Sequence, residues 1–213
     1  EALAPSGRLE IFEDDFKYPQ VLRTNLGIDQ RLPFGFVGTI EGQYTNTLSN
    51  LTITNVNVKP ANETLDGPDD RPIWAYRDED GDIDPGEALI DSRYDVIHRV
   101  GSTSKGYAYD ITGRLQNQVD TEYGTFSGSA SYTYGDAFTV NDGTSSQINS
   151  NWEDIENVNG LNNVGTSRSD FSIGHRVLAT FTYQVGGSSL SLLYSGESGR
   201  PFSYIIGNSA DDG

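Results

Sequence analysis

The residues best suited to chemistry are carboxylates, crowded into Arg77-Asp78-Glu79-Asp80-Gly81-Asp82-Ile83-Asp84-Pro85-Gly86-Glu87. Asp80, Asp82 and Asp84 stand at i, i+2 and i+4, and Asp91 follows Asp80 by eleven residues. That spacing parallels positions 1, 3, 5 and 12 of an EF-hand loop, where oxygen ligands close around calcium. Two departures stand out: the glycine falls one place late, and Asp occupies the place of the bidentate Glu. The competing reading is an acidic loop in water. Calcium is the one cofactor for which the sequence offers candidate ligands. Asn208-Ser209-Ala210-Asp211-Asp212-Gly213 is a shorter, truncated fragment of the same kind.

Other chemistries find little footing. Cysteine is absent, which removes disulfides, Cys-ligated zinc and thiol nucleophiles. The two histidines, His98 and His175, are far apart and belong to no zinc motif. His98 reads as polar surface in a long loop, and His175 as an interface position at a strand start. No G-x-S-x-G elbow precedes Asp and His partners. An enzyme is therefore not expected. With 14 Lys+Arg against 31 Asp+Glu, the net charge of −17 is opposite to what phosphate recognition needs, so nucleic acid is not an expected partner. Twenty-three aromatic residues among 213 speak against a disordered acidic tail. The chain opens on Glu1 without a signal peptide, as an internal or processed stretch of a longer polypeptide would.

The elements that must position these residues are strands. Apolar residues recur with period 2 in six segments of roughly ten residues: Gln20–Leu32, Phe36–Thr45, Tyr107–Gln116, Phe126–Tyr134, Phe171–Gln184 and Ser189–Glu197. No comparable segment shows a helical stripe. Strands one and two, three and four, and five and six are joined by tight turns at Pro33-Phe34-Gly35, Val119–Gly124 and Gly186-Gly187. The other connections are long, about 46–104 and 136–168. Short and long connections alternate, as in an outer-membrane barrel with short periplasmic turns and long extracellular loops. The three turns are expected at one rim. Within the first long loop, Leu51–Val58 and Tyr94–Val100 read as extended segments, predicting a ribbon with the acidic stretch at its tip.

The faces support the same architecture. Leu26, Ile40, Ile111, Ala130, Ala179 and Leu192 share the apolar parity, expected to meet lipid. The charged residues Arg23, Asp29, Arg31, Glu41, Asp110, Arg114, Arg176 and Glu197 all fall on the opposite parity, expected to face a lumen. A charge facing lipid at the midplane costs ~2–4 kcal/mol, so the segregation carries weight. Those eight residues read either as lining a solute path, as contacts for a plug, or as a salt-bridge ladder within the wall. Six strands do not close a large barrel, and open edges are not tolerated in lipid. The fold expected is thus all-β: an antiparallel transmembrane barrel segment, residues 1–213 being a partial barrel, either a stretch of a bigger sheet or a small barrel whose remaining strands are missing.

Several stretches taken in order carry a family resemblance: Asp15-Phe16-Lys17-Tyr18-Pro19-Gln20-Val21, Arg23-Thr24-Asn25-Leu26, Leu32-Pro33-Phe34-Gly35-Phe36 and Glu41-Gly42. They continue as Gly106-Tyr107-Ala108-Tyr109, Tyr132-Thr133-Tyr134-Gly135-Asp136-Ala137, Asn141-Asp142-Gly143-Thr144-Ser145-Ser146-Gln147, Asn151-Trp152, Arg168-Ser169-Asp170-Phe171 and Ser198-Gly199-Arg200-Pro201-Phe202-Ser203-Tyr204. The ordered set resembles the TonB-dependent outer-membrane receptors of the Oar-like group. The resemblance implies residence in the outer membrane, a barrel around a plug, and the TonB system and outer-membrane lipid as partners. On that basis the chain would belong to a transporter that moves a solute across the outer membrane. Two other readings stay open. One is a surface-exposed structural or adhesive outer-membrane protein that holds a partner protein through its acidic loops. The other is a secreted, calcium-stabilised β-sandwich that binds glycan.

Overall fold

The computed structural model describes residues 7–66, 70–155 and 160–202. The fragment 208–213 and the pair Ser203-Tyr204 lie outside the described residues. The strands are β1 (Gly7–Phe12), β2 (Gln20–Arg31), β3 (Val37–Asn55), β4 (Glu63–Thr64), β5 (Pro72–Ile73), β6 (Tyr94–Thr103), β7 (Gly106–Thr121), β8 (Gly124–Thr139), β9 (Ser167–Arg168), β10 (His175–Val185) and β11 (Ser188–Glu197). One short helix, α1 (Ile148–Glu153), lies between β8 and β9.

Six long strands form one antiparallel wall in the order β2-β3-β7-β8-β10-β11. The expected all-β class is thus present, and so are the six strands. Among the described residues β2 and β11 are not paired to each other, so the sheet is open and does not close into a barrel. The turns 33–35, 122–123 and 186–187 all lie at one end. The first has left-handed backbone at Phe34 (φ 63) and Gly35 (φ 80). The third places Gly186 (φ 56) between Val185 and Ser188 in a two-residue hairpin loop, where glycine adopts positive φ without a Cβ clash.

At the opposite end the wall grows into a lobe. β6 and β7 follow one continuous register along β3, from Val37↔Gln116 through Asn46↔Tyr107 to Asn50↔Thr103 and Asn55↔His98. The expected ribbon is therefore formed. Beyond it, β1 pairs with β6 in parallel, an arrangement that the alternation pattern did not predict. The segment after β1 is tied down where Ser102 Oγ accepts from Lys17 N (2.8 Å) and donates to Lys17 O (3.0 Å).

Several boundaries differ from the sequence expectation. Strand five begins at His175 rather than Phe171. Residues 169–173 instead loop outward between the β8–β9 and β8–β10 pairings, with Ser169 N bonded to Ala137 O (2.9 Å) and Gly135 N to Gly174 O (3.1 Å). The carboxylate of Asp136 fills the loop, bound to Arg168 (2.6 Å) and to Ser172 Oγ (2.5 Å). Those bonds replace the ladder contacts that a straight strand would make. Strands two and four also run further than the patterns suggested, to Asn55 and Thr139, because their polar ends pair within the lobe.

Burial is confined to the lobe. Ile53, Ala75, Ala88, Val96, Val100 and Val140 are the buried apolar residues among those described, and none sits in the lower wall. The wall is a single layer, exposed on both faces.

Candidate functional site

The cross-strand register determines which side chains share a face, because directly paired residues point the same way. One face carries Leu26, Ile28, Ile40, Ile111, Leu115, Tyr132, Ala130, Val177, Ala179, Phe181, Leu190 and Leu192. It lacks any cover: Leu26 is 75% exposed, Ile40 67% and Leu192 69%. Aromatic side chains mark its two ends. Near the turns, Phe126 stacks on Tyr183 at 4.6 Å and lies 6.3 Å from Phe181. Towards the lobe, Tyr44, Tyr107 and Phe138 form a stack with centroid spacings of 6.4 and 5.0 Å. Tyr132 donates to or accepts from His175 Nδ1 at 2.6 Å, and the two rings stack. His175 is thus held at the upper aromatic band.

The other face carries all eight of the charged residues singled out from the sequence. Most are tied across strands rather than to one another. Arg23 Nε donates to Thr45 Oγ1 (3.3 Å), Thr39 Oγ1 to Asp29 (2.5 Å), Asn25 to Glu41 (3.4 Å) and Gln43 to Asp110 (3.1 Å). Thr112–Thr133, Ser129–Thr180 and Thr182–Ser191 continue the rows at 2.7–3.0 Å. Arg176–Glu197, at 3.6 Å, is this face's one ion pair among the described residues, so a salt-bridge ladder is not formed. Arg31 and Arg114 have no side-chain partner among the described residues. Arg114 borders a hollow of about 440 Å³ with Gln116, Gln118, Ser129 and Thr180.

The candidate calcium ligands are separated by other tasks. Asp91 is taken by Arg93, whose guanidinium bonds both carboxylate oxygens at 2.6–3.1 Å. Those bonds hold the Asp91 carboxyl down at about 2 and raise the Arg93 guanidinium's own value. Asp84 Oδ1 accepts from Gly86 N (2.7 Å) and caps the short 3₁₀ turn 85–88, which explains the late glycine. Asp80 and Asp82 are linked through their backbone N–H groups to Asp78 Oδ1, each at 3.0 Å. Gly81, at φ 91, closes that turn. Among the described residues no three Asp, Glu, His or Cys side chains are gathered as a metal ion would require.

Asp78, named in the acidic stretch but not among the candidate ligands, is thus the organiser of the acidic tip. The lobe's asparagines were missed in the same way. Asn57 is buried: its Nδ2 donates to Asp91 O (3.0 Å) and Tyr94 O (2.7 Å), and its Oδ1 accepts from Asp91 N (2.9 Å). Asn162 accepts from Asn55 N and donates to Asn55 O, both at 2.6 Å. Asn50 reaches Thr139 Oγ1 (2.9 Å) and Asn141 O (3.0 Å). Each side-chain amide supplies a donor and an acceptor where no strand is available. The abundance of Asn in the loops was the one signal for this. His98, expected on the surface, is instead fully buried, because β1, β3 and α1 close around it.

No protein-family model, curated protein or solved structure matches the chain.

Proposed function

We propose that this chain is part of an outer-membrane β-barrel of the TonB-dependent receptor type, and that the whole protein moves a solute across that membrane. The observation that carries the reading is the bare apolar face, set back to back with a polar, hydrogen-bonded one. Covering a Leu or Ile side chain is worth about 1.5–3 kcal/mol. For Leu26, Ile28, Ile40, Ile111, Leu190 and Leu192 together that is ~9–18 kcal/mol, as much as the whole stability of an ordinary domain. Leaving this face in water would forfeit that energy; hydrocarbon supplies it. A β-sandwich would lay a second sheet here, and among the described residues the only other sheet is the two-stranded β4-β5.

Dimensions agree. Phe126 and Tyr134 stand eight residues apart on β8. At ~3.3 Å per residue and a tilt of about 40° that is ~20 Å of height. From Phe126 to Phe138 it is ~30 Å by the same arithmetic. A lipid-facing band about 25 Å tall fits between. The opposite face, hydroxyl-rich and with Arg31 and Arg114 unpaired, suits a wet interior that meets an anionic group of a plug or a solute.

The folded lobe, with its own small core, favours a second reading, in which a surface-exposed structural or adhesive protein binds a partner through the lobe. One experiment separates the two. The full-length polypeptide, purified in detergent, is tested for binding to the periplasmic domain of TonB. Stoichiometric binding supports the transporter. Absence of binding in a correctly inserted protein would favour the adhesive reading and leave the barrel standing.

A further inference from the structure

His98 is wholly shielded from solvent, and neither Nδ1 nor Nε2 has a hydrogen-bond partner. Its ring meets Trp152 of α1 edge-on, with centroids 5.3 Å apart. In register it lies beside Asn55 of β3 and Glu10 of β1. Three segments distant in sequence therefore close on one imidazole: the first strand, the ribbon and the second long loop. Asn162 fastens the same junction, since it bonds the backbone of Asn55 and accepts from Trp152 Nε1 at 3.2 Å.

A neutral imidazole here leaves one donor and one acceptor idle. An imidazolium would bury a charge and two unused N–H donors, which is far worse. Burial accordingly pushes the His98 value below 6.5. The charged groups facing it are Glu10 and Arg8 from β1 and Glu153 from α1; Asn55 from β3 is neutral. The two carboxylates favour the charged ring and Arg8 opposes it, and the desolvation outweighs all three. A group whose folded value is depressed contributes fully above its unfolded value and loses that contribution as the pH falls below it.

We propose that His98 is an acid-released latch, which holds α1 against the ribbon while neutral and frees it when protonated. Protonation requires water at the ring nitrogens, so Trp152 must leave. The face that α1 covers is the upward continuation of the wall's polar face: Ile53 and Val100 stand in the same parity and register as Glu41 and Thr112. In a receptor barrel, release would open the outer mouth. That consequence rests on the proposed function; the latch itself does not.

The test is hydrogen exchange of the full-length protein in detergent, read on peptides covering 148–155 and 94–103 at about pH 7.5 and about pH 5, with intrinsic rates corrected. Protection of both peptides should fall at least ~10-fold at the lower pH in the wild type, while peptides from β7 and β8 hold theirs. In His98→Phe, which keeps an aromatic ring and cannot titrate, the pH dependence should vanish. Glu10→Gln with Glu153→Gln removes the two carboxylates that favour a charged ring in the closed state, so protection at about pH 5 should fall further than in the wild type. Unchanged protection in the wild type at about pH 5 would overturn the proposal whatever the variants do. So would an equal fall in a folded His98→Phe protein.

Discussion

At the scale of single residues, the lobe depends on side-chain amides that stand in for missing backbone partners. The Asn57 side chain makes three such bonds. Asn57→Ala takes the acceptor from Asp91 N and an amide donor from Tyr94 O and from Asp91 O, which keeps only Tyr94 N at 3.2 Å, and should cost about 1–3 kcal/mol of lobe stability. Exchange protection of the 94–103 segment should drop while that of β7–β8 stays constant. The Asp91–Arg93 pair gives a pH prediction of known sign. The Asp91 carboxyl titrates near 2 when folded against 3.8 otherwise, so the pair's contribution is complete above about 3.8 and fades as pH falls towards 2. NMR titration should find Asp91 well below 3.8, and Arg93→Ala should return it towards that value. The same pair marks a limit of the calcium pattern: spacing shows which carboxylates are near in sequence, and not which are already engaged. Asp84 and Asp91 each have a local partner two residues away, Gly86 N and Arg93, an interaction that the motif comparison does not weigh.

The elements of the wall were far more legible than those of the lobe. Period-2 alternation is plain in Tyr107–Gln116 and Ser189–Glu197 because alternate residues of a single-layer sheet fall on opposite faces, one apolar and one polar, along its whole length. In the lobe that rule lapses: Ser49, Asn55 and His98 are buried beside Ile53 and Val100, so polarity no longer reports the side. The parallel pairing of β1 with β6 is set by contacts 85 to 90 residues apart in sequence and leaves no local signature. Close approach within the wall is testable through two glycines. A Cβ at Gly135 would stand 2.5 Å from Tyr109 O and 2.8 Å from Asp110 Cβ, whereas one at Gly113 would meet nothing within 4 Å. Gly135→Val should push β7 and β8 apart and cost about 1–3 kcal/mol. Gly113→Ala should change stability by less than ~0.5 kcal/mol. Unfolding temperatures of the two variants in detergent check the contrast.

As a whole molecule, the chain is a wall with two unlike faces and a packed lobe at one end. The open edges β2 and β11 and the uncovered apolar face both demand surroundings that these residues do not supply. Further strands would satisfy the edges, and lipid the face. The central claim is that the apolar parity meets lipid and the polar parity meets water. It is tested by placing single cysteines along β7 of the full-length protein in bilayers and attaching a nitroxide at 110, 111, 112, 113, 114 and 115. Collision rates with oxygen, which concentrates in hydrocarbon, and with a water-soluble nickel chelate are then compared at each site. The account predicts strict alternation, with oxygen dominant at 111, 113 and 115 and the chelate dominant at 110, 112 and 114. High chelate access at both parities, or low access to both reagents at 111, 113 and 115, would contradict it.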